Sequence, residues 1–248
     1  MIYRPEELLI AVICRLIEGC RHIAVGVSSP IPGAAALLRR ALDGGAGGAR
    51  PKVSVIGAES PEFRPEGGVD LFDGAGQGRI DAFFLSGGQI DGGANINLVG
   101  VGGDYPQQTA RWGGSFGSAY LYFTVPRVIL FREEHSRRVF VPKVDFVSAP
   151  GTSAPGVYRP GGPKALVTPL CLFIFDQAKR RFTLASVHPG HTVAEVRDNT
   201  GFEFDAPGKV PETIPPDAAW LTLLRGQVAR EIADPYPKFA ARVFEARA

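Results

Sequence analysis

Apolar residues recur along this chain with two periods, and the alternation between them outlines an α/β fold. Near the N-terminus Leu9, Val12, Ile13, Leu16, Ile17 and Cys20 fall three and four apart, the spacing that lines one face of a helix. Glu6 and Glu7 stand where carboxylates complement a helix N-terminus, and Gly19 weakens the last turn. The run "HIAVGV" then reads as a short strand, "SSPIPG" as a loop and "AAALLRRAL" as a helix. That order is the βα part of a parallel sheet.

"GGAGGARP" predicts a flexible turn into a second strand, "KVSVIGA", whose apolar run needs cover on both faces. Ala82–Leu85 predicts another strand. Downstream, "VPRVILF", "RRVFVPKVDFV", "KALVTPLCLFIFD" and "RFTLASV" are rich in β-branched and aromatic residues, and Pro126, Pro142 and Pro169 mark breaks or edges. Two further helices are expected. In "TVAEVRDNTG", Thr192 and Glu195 match a capping box and Gly201 supplies the stop; the other is "PPDAAWLTLLRGQVARE". With no internal repeat or low-complexity tract, the expectation is one α/β domain over residues 1–248, with a largely parallel core sheet and flanking helices.

Composition narrows the function classes. The chain has 248 residues, 45% apolar and 21% charged, which suits a soluble domain with a sizeable core. A formal charge of +2, without aromatic residues interleaved in a basic patch, gives no reason to expect a nucleic-acid partner. The start "MIYRPEELLIAVICRLIEG" lacks the pattern of a secretory signal, and no run is apolar enough to cross a bilayer, so a cytoplasmic location with no membrane partner is expected. Cys14, Cys20 and Cys171 lack metal-ligand spacing and read as buried free thiols; the four histidines add no ligand cluster, so no metal is expected.

The 31 glycines and 21 prolines are more than turns alone require, and they concentrate in "SGGQIDGGANINLVGVGGDYPQ". A loop of that kind is expected where backbone approaches a ligand or another subunit closely. Gly87, Gly88 and Gln89 fit either a tight turn or an oxyanion site, through backbone N–H groups and the Gln89 amide. Asn95 and Asn97 cap local turns or contact a ligand.

Glu59, in "SVIGAESPEF", has two readings. It is a loop acid paired with a basic residue, or a nucleophile delivered by the preceding strand with Gly57 permitting close approach. Ser60 is a turn residue or supports Glu59; Glu62 and Glu66 should face solvent. Ser28 and Ser29 either cap the next helix or hold an anion at its start. Arg111 is a packing arginine or a phosphate or carboxylate contact. His135 is placed to pair with the adjacent acids of "REEHSRRVF", and His188 and His191, bracketing "PG", suit structural roles.

In combination, "VGVSSPIPGAA", "AES", "FFLSGGQIDGGANIN", "RRVFVPKVDFVSAPG" and "SVHPGHTVAEVRDNTGFEF" resemble the beta subunit of family I coenzyme A transferases, of the glutaconate CoA-transferase type. The resemblance implies an α/β subunit that pairs with a related alpha subunit in a heterodimer or higher heteromer. It implies acyl-CoA and carboxylic acid substrates and no tightly bound cofactor. It puts Glu59 and Ser60 in the first two places of a Glu-Ser-Gly element, with Pro61 where glycine is expected, and makes Glu59 the nucleophile of a glutamyl-CoA intermediate. Gly87, Gly88 and Gln89 then shape the oxyanion side, with Asn95 and Asn97 in a "GNxN"-like element that Ala94 alters. Phe116 replaces a glycine of "GSGGA" and is expected to narrow or remodel the acyl pocket. A CoA-ester hydrolase branch on the same architecture, with its main acid in the alpha subunit, resembles the chain in the later segments. A non-catalytic partner of the alpha subunit is the third reading.

Overall fold

A computed structural model describes residues 3–45 and 49–245. Ala46, Gly47 and Gly48, part of the expected flexible turn, lie outside the described residues. The chain divides into two compact units, residues 1–84 with 214–248, and residues 85–213.

In the first unit, α1 (Pro5–Leu16) starts with Pro5 at its first position, where no backbone N–H is needed. Residues 7–14 are all buried, so the helix is enclosed beyond the single apolar face that the periodicity defines. Glu7 is 1% exposed. Its carboxylate accepts the Arg4 N–H at 2.8 Å and two Arg225 nitrogens at 2.6 and 2.8 Å, which compensates the loss of water. β1 (His22–Val25), α2 (Pro30–Gly45) and β2 (Lys52–Val55) follow. α3 (Gly67–Gly76), which its glycines hide from a propensity reading, leads to β3 (Ala82–Leu85). β1 pairs in parallel with β2 in a register that joins His22 to Lys52 and Val25 to Val55, and also with β3. The helical segment 218–232 returns from the C-terminal side, and Ile232 lies against Gly33 of α2, where an added Cβ would meet it at 3.0 Å.

In the second unit the glycine-rich stretch forms two antiparallel ribbons. β4 (Gln89–Ile90) pairs with β5 (Ile96–Asn97), and β6 (Gly100–Val101) with β7 (Ala110–Arg111). After α4 (Ser118–Thr124), β8 (Arg127–Phe131) runs parallel to β9 (Pro163–Val167); β10 (Cys171–Asp176) and β11 (Arg181–Val187) add antiparallel pairings. Pro169 separates β9 from β10, as its missing N–H requires. α5 (Val193–Asn199) begins at Thr192, whose side chain accepts the Glu195 N–H at 3.1 Å. Phe173 anchors an aromatic cluster with Phe182, Phe202 and Phe204 at centroid distances of 5.9, 6.1 and 4.9 Å.

The "RRVFVPKVDFV" segment forms no strand. Val139 and Phe140 N–H both turn back to the Ser136 carbonyl, Phe140 makes one isolated bridge to Ile90, and Pro142 ends the pairing. The β1–β2, β1–β3 and β8–β9 pairings are parallel, and β9–β10 and β10–β11 are antiparallel. Among the described residues no helix is long and apolar enough to cross a membrane.

Candidate functional site

The sequence-derived site residues fall into two groups, one in each unit. In the first, β2 delivers the chain to a turn closed by Ala58 N–H on the Val55 carbonyl, with Gly57 at φ +96°. Left-handed backbone there is open to glycine at little strain. Ala58 is buried while Glu59 is exposed, and the Glu59 carboxylate has no hydrogen bond or ion pair among the described residues. Its backbone is fixed instead. Asp234 Oδ2 accepts the N–H groups of Glu59 and Ser60, each at 3.1 Å. Pro61 follows at the first position of a turn in which Phe63 and Arg64 N–H bond to the Ser60 carbonyl. A missing N–H leaves nothing unpaired there. Ser60 Oγ accepts the Glu62 N–H at 3.4 Å, and Glu62 pairs with Arg40.

Two residues beyond Asp234, Tyr236 ties down a second loop. Its hydroxyl accepts the Ser29 N–H at 3.2 Å and donates to the Gly26 carbonyl at 3.1 Å, and burial raises its pKa. Ser29 Oγ donates to the Val27 carbonyl, and Ser28 takes φ +56°. The 234–236 segment therefore holds both the Glu59–Ser60 turn and the Ser28–Ser29 loop. Neither Asp234 nor Tyr236 carries a local sequence signal, since each acts across about 175 to 210 residues of separation.

In the second unit, Asp91 and Asn97 organise the glycine-rich ribbon. Buried Asp91 accepts N–H groups from Gly93, Asn95 and Val144 and the Asn95 side-chain amide. Asn95 Oδ1 accepts the Gly151 N–H. Asn97 is wholly buried; its Nδ2 donates to Gln89 Oε1 and the Gly100 carbonyl, each at 2.8 Å, while Oδ1 accepts from Val99 and Gly100. Both asparagines thus use their amides to fix the ribbon.

Gly88 N–H donates to the Asn97 carbonyl at 2.9 Å, so this donor is already committed. Its hydrogen side chain has a separate consequence, because a Cβ would lie 2.1 Å from Trp112 Cη2. At Gly87 a Cβ would meet Ile96 at 2.6 Å. Gly87 N–H and Gln89 Nε2 have no hydrogen-bond partner among the described residues. Gly87, Gly88, Gln89 and Trp112 line a cavity of about 630 Å³, with Leu98, Val101, Val139 and Val141 as apolar walls and Arg132 and Arg138 as its cations.

Arg111 does not line that cavity. It stacks at 5.3 Å on Tyr105 and donates to the Pro106 carbonyl at 3.2 Å, closing the tip of the β6–β7 ribbon. Phe116 does not line it either; the side chain is 93% exposed, at φ +45°.

His135 bonds to the hydroxyls of Thr168 and Thr200 at 2.8 and 2.9 Å, where pairing with adjacent acids was expected. His188 is buried between Thr213 and the Thr168 carbonyl, and His191 pairs with Glu195 at 3.0 Å. Cys14, Cys20 and Cys171 are buried free thiols, and burial pushes Cys14 and Cys171 up to about 12. Among the described residues no cluster of His, Cys, Asp and Glu is able to hold a metal ion.

The chain belongs to the coenzyme A transferase family, whose model matches residues 53–199 and so takes in the Glu59 turn and the glycine-rich ribbons. The B-type subunit of 3-oxoadipate CoA-transferase from Pseudomonas knackmussii is 34% identical over 162 residues, 63% of this chain and 62% of that one. Its counterpart in glutaconate CoA-transferase from Acidaminococcus fermentans is 33% identical over 152 residues, 58% of this chain and 56% of that one. The chain thus spans about three fifths of the length of the curated relatives it matches.

Solved structures share the fold over most of the chain. Glutaconate coenzyme A-transferase from A. fermentans superposes with a TM-score of 0.73 at 24% identity, covering 90% of this chain and 95% of that one. IpdAB from Rhodococcus jostii RHA1 gives 0.78 at 23%, covering 91% and 94%. The decarboxylase AibA/AibB gives 0.73 at 22%, covering 99% and 100%. The fold is therefore the α/β fold of the glutaconate CoA-transferase type.

Proposed function

We propose that this chain is the beta subunit of a heteromeric acyl-CoA:carboxylate CoA-transferase, with Glu59 as its nucleophile. The observation that carries the reading is the Glu59 turn. It lies inside the family match, its backbone is fixed by Asp234, and its carboxylate is exposed and uncommitted among the described residues. A rigid backbone under an unengaged carboxylate is the arrangement that nucleophilic catalysis needs. The partner is a related alpha subunit, as the two-subunit naming of the relatives supports. Cover from that partner lowers the hydration of Glu59 and raises its nucleophilicity.

In the proposed reaction a Glu59 oxygen attacks the acyl carbon of an acyl-CoA, the carbon–sulfur bond breaks, and CoA leaves as thiolate. The thiolate then attacks the glutamyl carbonyl of the mixed anhydride, releasing the first acid and leaving a Glu59–CoA thioester. A second carboxylate runs the sequence in reverse and departs as the new acyl-CoA. Bond energy is retained because each cleavage accompanies formation of another activated acyl bond. In the ribbon, Gly87 N–H and Gln89 Nε2 are the donors proposed for the developing oxyanion. Asn97 supports Gln89, and Gly88 admits Trp112. Ser60 supports the Glu59 turn. CoA serves as substrate, and the assignment includes no metal and no resident cofactor. The chain is proposed to act as one subunit in the cytoplasm.

The test co-purifies the chain with its alpha subunit and supplies an acyl-CoA with and without a free carboxylic acid. Acceptor-dependent exchange is expected, together with a CoA adduct on Glu59 by peptide mass spectrometry. Glu59→Gln should lower exchange at least about a thousandfold, the scale on which loss of a nucleophile acts. Acceptor-independent release of CoA assigns the complex as a hydrolase, and full activity in the Gln variant rules out attack by this subunit.

A further inference from the structure

At the other end of β8 from the ribbon cavity, the second unit carries a cleft of about 450 Å³. Pro126, just before β8, the start of β9 and the β10–β11 turn form its wall, whereas Arg132, just past β8, lines the ribbon cavity. Pro126 and Arg132 are roughly 20 Å apart at the rise of about 3.3 Å per residue of a strand. The cleft is therefore separate from the cavity.

Arg159, Lys164 and Arg180 line the cleft, and among the described residues no carboxylate does. The acids of the neighbouring segments are engaged elsewhere. Asp205 pairs with Lys179 and Arg181, the two cations that flank Arg180, at 3.6 and 3.2 Å, and Asp176 Oδ1 accepts the Ala178 and Lys179 N–H groups at 2.9 and 3.0 Å. Lys164 and Arg180 make no ion pair among the described residues. Three positive charges thus line one concavity without a counter-charge.

Two of these cations are held in place. Arg159 donates through Nε, Nη1 and Nη2 to the carbonyls of Gly161, Pro150 and Tyr122 at 2.9, 2.8 and 3.0 Å, and its guanidinium lies over the Tyr122 ring at 5.2 Å. Partial burial lowers its pKa, the sign of a cation that has given up some of its hydration. Arg180 takes φ +54°, uncommon for a residue other than glycine, and its Nη2 donates to the Ser153 carbonyl at 3.3 Å. The terminal nitrogens of both guanidinium groups keep further N–H donors. The hydroxyls of Thr152 and Ser153, also in the wall, have no partner among the described residues.

Such a surface calls for an anion rich in acceptor oxygens. A single phosphate group carries a charge of about −1.5 to −2, short of the three positive charges, and a carboxylate carries less. A second phosphate closes the gap, and the cleft is of the size that small-molecule sites have. We infer that this cleft is a second ligand site, which takes the diphosphate group of a small molecule, with Arg159 as its fixed cation and Lys164 and Arg180 paired to the phosphate oxygens. Free pyrophosphate and a nucleoside diphosphate share that chemistry.

Calorimetric titration of the full chain with pyrophosphate, ADP and inorganic phosphate tests the assignment. Pyrophosphate should bind saturably, at least about tenfold tighter than inorganic phosphate, and more weakly as ionic strength rises. Lys164→Gln and Arg180→Gln, both at exposed positions, should each weaken it about tenfold, the scale of one charge-assisted contact. Tighter binding of ADP than of pyrophosphate identifies a nucleotide as the ligand; equal or weaker binding identifies the diphosphate alone. Absence of saturable pyrophosphate binding, equal affinity for inorganic phosphate, or binding that survives both substitutions overturns the inference. In the reconstituted complex Arg180→Gln should leave the KM for acyl-CoA unchanged, and a rise that matches the loss of pyrophosphate affinity overturns the separation from the substrate site. Absence of turnover bears on the transferase reading alone, because the titration is read without it.

Discussion

Acidification should unfold this protein through two histidines that are neutral in the folded state. His188 Nε2 faces the Thr168 carbonyl at 2.9 Å, so it carries the proton, and Nδ1 accepts the Thr213 hydroxyl hydrogen at 2.8 Å. Thr213 in turn accepts from Ser186 at 2.6 Å. Thr200 Oγ1 donates to the Val196 carbonyl, so His135 Nε2–H donates to Thr200 and Nδ1 accepts from Thr168. Each ring already has both nitrogens satisfied. Adding a proton at Nδ1 turns a hydroxyl O–H against an N–H, and burial opposes the new charge. Desolvation is the main reason that each pKa falls from 6.5 to about 4.

The lowered folded-state value fixes the sign. Between about pH 4 and 6.5 the unfolded chain binds protons that the folded chain refuses, so stability rises with pH across that window and is lost on acidification. A gap of about 2.5 units at about 1.36 kcal/mol per unit gives each histidine about 3 kcal/mol, the two together about half of a typical domain stability. Urea unfolding at half-unit steps from pH 5 to 7 should give a slope near 2.4 kcal/mol per pH unit at about pH 5.5, for nearly two protons. His188→Asn should halve the slope, whatever its effect on absolute stability. A wild-type slope below about 0.5 kcal/mol per unit, or one that His188→Asn leaves unchanged, refutes the assignment of buried neutral histidines.

Replacing Glu7 by alanine removes a carboxylate that pairs with Arg225 from a site where Glu7 is 1% exposed; because a quarter of the Arg225 side chain reaches solvent, the expected loss is about 3 kcal/mol, read by urea denaturation. Gly88→Ala places a Cβ 2.1 Å from the Trp112 ring, so the indole must leave the cavity wall. In a Trp220→Phe background, where Trp112 is the sole tryptophan, this should red-shift the emission, with a stability loss of about 1–3 kcal/mol. Unchanged emission would show that backbone movement absorbs the clash.

Strand positions were legible because their apolar runs are short and bounded by glycine or proline. Ala82–Leu85 falls on β3 residue for residue, and Pro169 divides β9 from β10. The Thr192–Glu195 cap was legible because it is a four-residue event. "RRVFVPKVDFV" misled because burial of Val139, Val141 and Val144 does not require a sheet partner, and a bend at Ser136 gives the same exposure. His135 sits beside acids in sequence, yet it reaches hydroxyls 33 and 65 residues away. Asp234 and Tyr236 were illegible for the same reason. A backbone clamp from a distant segment has no period and no local composition.

The glycines show how a composition signal divides once structure is available. Gly57, Gly114 and Gly190 take positive φ with open space around them, so their role is conformational. Gly87, Gly88, Gly151 and Gly161 lack a side chain because other protein atoms already occupy the position, 2.1–2.6 Å from where a Cβ would stand. At Gly151 and Gly161 those atoms are backbone carbonyls, which cannot yield. Close approach in these four places is therefore approach of the chain to itself, and the glycine-rich ribbon is a rigid support. Rigidity has a functional consequence. In the Gly87–Gln89 segment Gly88 N–H is committed to Asn97, whereas Gly87 N–H and Gln89 Nε2 have no partner among the described residues. The aim of the Gln89 amide is set by Asn97 and Asp145, through bonds of 2.8 and 2.9 Å to its Oε1, so on the proposed transferase reading those supports govern the geometry that a substrate carbonyl meets.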